Sequence, residues 1–218
     1  MDLLTFFGVI VLSYIIGAIP FGFIIVKLKT GNDIRDIQSG RTGGTNAMRA
    51  AGLGVGLSTA LLDIGKGTVT VWLARTMYLD GSHWLEILAP VFAIIGHNYS
   101  IFLIQRRPDG KFRLAGGAGG ATCLGGSLGL WWPSGIVIFI IAVLIFYFVG
   151  YASVTTMSVA FLSTLVFGVG AAMGYFPWTY AYFGLLAGFL LVWSLKPNIV
   201  RLKEGTERLH GFRARKKE

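Results

Sequence analysis

Long apolar stretches alternate with short polar ones along the chain. Seven apolar segments stand out, over 3–26, 54–77, 84–104, 115–131, 136–149, 158–175 and 179–195. Several approach the roughly 20 apolar residues that a helix needs to cross a bilayer. Some are short and glycine breaks up the fourth, so five or six crossings are the alternative count. The pattern predicts an all-α fold: a polytopic integral membrane protein of about seven transmembrane helices, with short polar loops on the cytoplasmic side. It forms a single domain over 1–218 and ends in a basic tail over 203–218. The segment that follows Met1 has no basic leader region and no small-residue cleavage site, so it reads as a retained helix rather than a signal peptide.

Charge gives the orientation. With the N-terminus outside and seven crossings, the inside segments are 27–52, 105–114, 150–157 and the stretch from Lys196. They hold 17 of the 19 Lys and Arg residues, as the positive-inside bias requires. The outside links hold Asp80, His83 and Glu86, or are very short, as at Pro133 and Pro177. Trp84, Trp131, Trp132 and Trp178 gather at that outer boundary, as an aromatic belt does.

Composition agrees. Hydrophobic residues make up 54% of the chain and charged residues only 13%, against about a quarter charged in a soluble domain. The 31 glycines suit close helix packing in lipid. The net charge of +9 is accounted for by basic loops facing anionic lipid, without a nucleic-acid partner. One cysteine, Cys123, excludes an internal disulfide, and His83, His97 and His210 are too scattered for a metal cluster. The basic run from Arg208 to Lys217 reads equally well as a membrane-surface tether or a solvated end.

Polar residues that can do chemistry lie at the inner face. The loop over 31–49 combines Ser39, Thr42, Thr45 and Asn46 with Gly40, Gly43 and Gly44, and carries Arg35, Arg41 and Arg49. Glycine lets backbone N–H groups close around an anion, hydroxyls donate to it, and arginine binds it with two prongs. The spacing is not that of a Walker loop, and a flexible basic surface loop is the plainer alternative. In the second apolar segment Asp63 and Lys66 are three apart on one helix face. Either Asp63 neutralises Lys66, or Asp63 orients a loop arginine while Lys66 meets a phosphate. His97, followed by Asn98, is a candidate general base or a hydrogen-bonded packing residue. Arg106, Arg107, Lys111 and Arg113 precede the run Gly116-Gly-Ala-Gly-Gly-Ala-Thr122. Such a glycine cluster at a helix start can bind an anion or let helices touch. Ser153, Asn198, Arg201 and Thr206 are candidates to complete a site.

Together these motifs resemble the bacterial membrane glycerol-3-phosphate acyltransferases that use acyl phosphate. The resemblance runs from Gly17-Ala-Ile-Pro-Phe-Gly22 through Asp33-Ile-Arg35, Ser39-Gly-Arg-Thr-Gly-Gly-Thr-Asn46, Leu62-Asp-Ile-Gly-Lys-Gly67 and Gly96-His-Asn-Tyr-Ser-Ile-Phe102. It closes at Asn198-Ile-Val-Arg-Leu202 and Gly205-Thr-Glu207. It implies a bacterial inner-membrane enzyme of phospholipid biosynthesis that acylates the C1 hydroxyl of glycerol 3-phosphate from acyl phosphate. The partners it implies are those two substrates and membrane lipid, with no metal or other cofactor and no stated oligomeric state. His97 and Asn46 are the implied catalytic residues. Ser39, Arg41, Thr45, Arg49, Asp63, Lys66, Asn98, Gly116, Gly117, Gly119, Ser153, Asn198 and Arg201 are the implied substrate contacts. The chain departs from the family pattern at Ala118, where lysine is usual, at Arg41 for asparagine, at Gly150 for arginine and at Leu195 for histidine. These departures motivate a rival, a non-catalytic relative that binds a phosphorylated lipid precursor. An anion transporter is the second rival, weakened by the lack of an internal repeat.

Overall fold

The structure, a computed structural model, describes residues 3–77, 83–106 and 110–215. Met1, Asp80, Arg107 and the tail end at Lys217 lie outside the described residues. The first apolar segment forms two helices, α1 (Leu3–Ala18) and α2 (Phe21–Thr30). Pro20 has no N–H to continue the helix and pushes Ile19 out of helical conformation, so the expected single helix over 3–26 breaks there. The inner loop is also more ordered than expected. A 3-10 turn (Ile34–Asp36) leads to α3 (Gly44–Ala51), and α4 (Leu53–Met77) follows directly.

After α5 (Trp84–Asn98) a second 3-10 turn enters a small antiparallel hairpin, β1 (Ile104–Arg106) and β2 (Phe112–Leu114), with Gln105 opposite Arg113. This hairpin is the departure from the all-helical expectation among the described residues. The expected crossing over 115–131 contracts to α6 (Gly120–Leu130), only about 16 Å long. Residues 115–119 before it are irregular, because glycines at 116, 117 and 119 give the backbone little reason to coil. Next come α7 (Trp132–Phe148), α8 (Ala152–Ala172) and α9 (Thr179–Ser194). The next helix, α10 (Lys196–Lys203), turns 67° away from α9, where Pro197 starts a new first turn. A short α11 (Gly211–Arg215) closes the described chain.

Among the described residues, three stretches are long and apolar enough to cross a membrane: Leu3–Thr30, Trp84–Leu103 and Ala152–Ala172. The bent pair α9–α10 is a fourth if it is one broken span, and α7 is apolar but 17 residues long. The buried core joins α4, α5, α6, α8 and α9 through Val71, Ile94, Leu124, Phe167, Phe183 and Leu191. By contrast α7 turns Phe139, Ile140, Val143 and Leu144 outward, the inside-out distribution that lipid permits.

Two crossings rest on missing side chains. At α1–α5, a Cβ on Gly17 would strike the Ala93 backbone, and one on Gly96 the Tyr14 carbonyl. At α4–α6, a Cβ on Gly67 would strike the Thr122 carbonyl, and one on Gly125 the Ile64 carbonyl. At the end of α4 remote from the inner loops, Arg75 donates to the Gly129 and Leu130 carbonyls at 2.9 and 2.8 Å, closing the C-terminus of α6. Arg75 also pairs with Glu86 at 2.8 Å, and the Tyr180 hydroxyl donates to the same carboxylate at 2.7 Å. Trp84, Trp131, Trp132 and Trp178 all remain exposed.

The described part of the basic tail docks on the bundle. Leu209 bridges to Tyr151, the His210 N–H donates to the Gly150 carbonyl at 2.8 Å, and α11 packs on α7.

If α4–α6 contact sets the bundle, Gly125→Val forces those backbones apart. Overpacking of this kind costs about 1–3 kcal/mol, so thermal unfolding in detergent shifts downward. The same exchange at Gly65, which has open space around it, leaves the midpoint near its original value.

Candidate functional site

The polar residues of the inner loops converge on one cleft of about 630 Å³. Its first wall is the loop before α3. Asp33 starts the 3-10 turn by accepting from the Arg35 N–H at 2.9 Å, and the Arg35 guanidinium grips the same carboxylate at 2.6 Å. That bond holds the Asp33 carboxyl below its ordinary value. Arg35 is thereby committed to the loop and does not line the cleft. Asn46 does the same from inside: its Nδ2 donates to the Ile34, Ile37 and Arg41 carbonyls at 3.1, 3.0 and 2.8 Å. Three converging carbonyls fix which end of the amide faces them. Asn46 borders the cleft with its donor group fully engaged by these three carbonyls.

The opposite wall is the irregular segment before α6. The Gly117 N–H donates to the His97 carbonyl at 2.9 Å, and the Thr42 N–H to the Gly116 carbonyl at 3.2 Å. Gly119, at φ +89°, turns the chain into α6, a conformation suited to glycine. A Cβ on Gly117 would overlap the imidazole of His97, so that glycine is the space in which the ring sits. His97 and Asp63 are both buried cleft-lining residues, with Nδ1 3.5 Å from the Asp63 carboxylate.

Of the residues singled out in the sequence, Ser39, Arg41, Thr45, Asn46, Arg49, Asp63, His97, Gly119, Ser153, Asn198 and Arg201 line the cleft. Four do not. Gly116 and Gly117 sit behind the wall, and Asn98 is buried with both side-chain polar atoms unpartnered. Lys66 lies 2.9 Å from Asp63 and donates to the Ile19 carbonyl at 3.1 Å. That carbonyl lies just before Pro20 and also accepts from the Phe21 N–H at 3.1 Å. Of the two sequence readings of Asp63 and Lys66, the geometry selects the ion pair, because the ammonium faces helix backbone rather than the cleft.

Arg41 reaches across the cleft floor. It donates to the Gly117 carbonyl at 3.0 Å, to the Ser194 hydroxyl at 3.3 Å, to the Ser194 carbonyl and to Asn198 Oδ1 at 3.4 Å. Its guanidinium is therefore next to Ala118, whose carbonyl accepts from the Ser194 hydroxyl at 3.4 Å. Burial and the nearby Arg201 push Arg41 below its ordinary value. Of Arg41, Lys111 and Arg113, only Arg41 borders the cleft.

Sequence reasoning passed over Glu207 as a site residue. Its two carboxylate oxygens accept from Ser153 at 2.7 Å and from Asn198 at 3.2 Å. The Gly205-Thr-Glu207 motif was the available signal. Gln38 and Arg208, hydrogen-bonded to each other across the opening, were missed too, with no pattern to mark them.

Electrostatically the cleft favours anions. First-turn residues of three helices line it: Gly44 and Thr45 of α3, Gly120 and Ala121 of α6, and Ala152 and Ser153 of α8. Each helix start presents unpaired N–H groups and the positive end of its dipole. Arg41, Arg49, Arg201 and Arg208 add four cations against the carboxylates of Asp63 and Glu207. Part of the wall is apolar, with Leu57 and Ala60 of α4 on one side and Phe139 and Val143 of α7 on the other. Among the described residues no group of three His, Cys, Asp or Glu side chains could hold a metal ion.

Comparison with known proteins bears on this geometry. Residues 7–205 match the family model described as glycerol-3-phosphate acyltransferase. The glycerol-3-phosphate acyltransferase of Syntrophomonas wolfei is 35% identical over 92% of this chain and 94% of its own. That of Thermus thermophilus is 36% identical over 94% of this chain and 95% of its own. The crystal structure of PlsY, an integral membrane glycerol 3-phosphate acyltransferase in its glycerol 3-phosphate form, superposes with a TM-score of 0.80. It is 28% identical, covering 94% of this chain and 96% of that one. Its lysophosphatidic acid form gives a TM-score of 0.77 at 27% identity.

The Asp63–Lys66 pair makes its own prediction. Asp63→Ala leaves a buried ammonium unpaired and destabilises the protein by about 3–5 kcal/mol. Adding Lys66→Met removes that charge and recovers much of the loss. Equilibrium unfolding of the single and double variants in micelles measures both steps.

Proposed function

The chain belongs to the glycerol-3-phosphate acyltransferase family, and from that premise we propose that it transfers an acyl group from acyl phosphate to the C1 hydroxyl of glycerol 3-phosphate. The products are lysophosphatidic acid and phosphate. The observation that carries the reading is the convergence of three helix starts and four arginines on one cleft with an apolar mouth. Both substrates end in phosphate, and the donor and the product each carry an acyl chain that needs an apolar path.

In the proposed reaction the C1 oxygen attacks the acyl carbonyl and the carbonyl carbon–phosphate oxygen bond breaks. Phosphate is already a good leaving group, so the protein mainly holds two anions side by side and aims the hydroxyl. Ser39, Thr45, Arg49 and Arg201 bind phosphate together with the N–H groups that open α3. Gly119 and the start of α6 receive the second phosphate, and N–H groups there stabilise the charge on the carbonyl oxygen. His97, oriented by Asp63, accepts or steers the hydroxyl proton. Asn46, Arg41, Ser153 and Asn198 shape the pocket. The acyl chain lies between the apolar faces of α4 and α7, in contact with lipid. No metal or organic cofactor enters this scheme.

The same reading places the chain as one domain over 1–218 in a bacterial inner membrane, N-terminus outside, with about seven segments within the bilayer. Besides the apolar stretches above, α4 is 25 residues long, and its buried charges are paired with each other. The short α6 is the half-length member.

The test uses purified protein in lipid with glycerol 3-phosphate and palmitoyl phosphate, following phosphate and lysophosphatidic acid together. Equimolar products are expected. Arg49→Ala raises KM for glycerol 3-phosphate about tenfold or more, the scale of a lost charge-assisted hydrogen bond. His97→Ala lowers kcat by about 10²–10⁴ with little change in KM; equal losses in both would make it a positioning residue. If folded protein binds substrate without forming product, the chain is the non-catalytic relative. Ala118→Lys is then the first exchange to restore turnover.

A further inference from the structure

The tail supplies part of the cleft wall. Residues 206–208 line the opening, and the chain then runs along the link between α7 and α8. Gly150 makes that course possible: it has φ +81°, and a Cβ there would come within 2.7 Å of the His210 carbonyl oxygen. The His210 ring stacks on Phe146, centroids 5.1 Å apart with planes 23° from parallel. Its Nε2 meets the guanidinium NH2 of Arg49.

The chemistry of that contact is one-sided. A guanidinium can only donate hydrogen bonds and stays charged. Nε2 must therefore be the acceptor, so the imidazole is neutral with its proton on Nδ1. The charged groups around the ring are Arg49 on α3 and Glu207 and Arg208 on the tail. The sequences of α7 and α8 contain no charged residue.

We propose that residues 206–211 form a working strap over the cleft, and that His210 is a positioning residue whose neutral ring aims the Arg49 guanidinium at a bound phosphate. This rests on the acyltransferase reading of the cleft. Protonating His210 sets two cations face to face and releases Arg49. Burial, and then Arg49 itself, hold His210 below its ordinary value. The contact is accordingly intact above about pH 6.5, the ordinary histidine value, and is lost as pH falls through the lower folded value.

The test measures kcat and KM for glycerol 3-phosphate, and its affinity by calorimetry, in phosphatidylcholine nanodiscs from about pH 5.5 to 8, the range over which histidine titrates. His210→Gln keeps a neutral acceptor that does not titrate, and His210→Phe keeps the stacking alone. His210→Phe is expected to raise KM and weaken binding about tenfold at every pH, the scale of one charge-assisted hydrogen bond, with kcat nearly unchanged. His210→Gln restores affinity near pH 8 and loses part of the acid limb of the unaltered protein. The limb that remains belongs to the substrate phosphate, which titrates near about pH 6. An unchanged KM in His210→Phe, or identical acid limbs in His210→Gln and the unaltered protein, overturns the proposal. Unaltered protein that binds glycerol 3-phosphate without turnover sinks the acyltransferase reading, while the affinity series still decides the role of His210. Unaltered protein that does not bind it overturns both.

Discussion

Residues 115–119 carry irregular backbone into a helical bundle, and the need to satisfy that backbone organises the end of the molecule that holds the cleft. Buried N–H and C=O groups require partners, and non-helical backbone at membrane depth survives only where protein or a water-filled cavity supplies them. Here the partners come from three directions. The end of α5 takes the Gly117 N–H, and the Ser100 N–H donates to the Ala115 carbonyl at 3.0 Å. The first inner loop contributes the Thr42 N–H and Arg41, and the end of α9 contributes the Ser194 hydroxyl. Satisfying one short segment thus ties together elements far apart in sequence, and the cleft is the space they enclose.

The internal charges follow a related rule. Lys66 donates to the Ile19 carbonyl at the break before Pro20, and Arg75 closes the C-terminus of α6 at the far end. Both are basic residues on α4 aimed at backbone oxygens that no helix satisfies. At both the broken helix and the half-length helix, α4 brings a cation to the backbone. The residual polarity, which these bonds do not consume, collects at the inner loops and leaves one anion-favouring cleft.

Much of this was legible in the sequence. Hydropathy located the apolar segments, because lipid demands continuous apolar length, and the basic loops marked the end where the site lies. Eleven of the fifteen named site residues line the cleft, since hydroxyl, glycine and arginine in one loop leave little else to do. The misses share a cause. Whether Lys66 faces the cleft or the Ile19 carbonyl depends on where another helix breaks. That Asn46 holds its own loop depends on three carbonyls whose directions no side-chain pattern records. The contraction of the fourth segment to α6 was masked because glycine reads the same in a packed helix and in irregular backbone. The docking of the tail depends on Gly150 and Phe146, neither of which resembles a tail-binding signal.

The departures at Ala118 and Arg41 are physically linked. With alanine at 118 the wall provides no cation of its own, and the Arg41 guanidinium occupies the neighbouring space. Its bonds run to the Gly117 and Ser194 carbonyls, so this charge is held as part of the wall rather than offered on a free stem. A guanidinium fixed in that way acts on a bound anion through its field, and a field needs no contact to favour negative charge in a water-poor cleft. A flexible lysine would follow a moving phosphate, whereas a clamped arginine holds one position. The cleft of this chain therefore depends more on preorganised backbone and fixed charge than on a side chain that closes around its ligand. Arg49, held from behind by a tail residue, extends the same arrangement to the opposite wall.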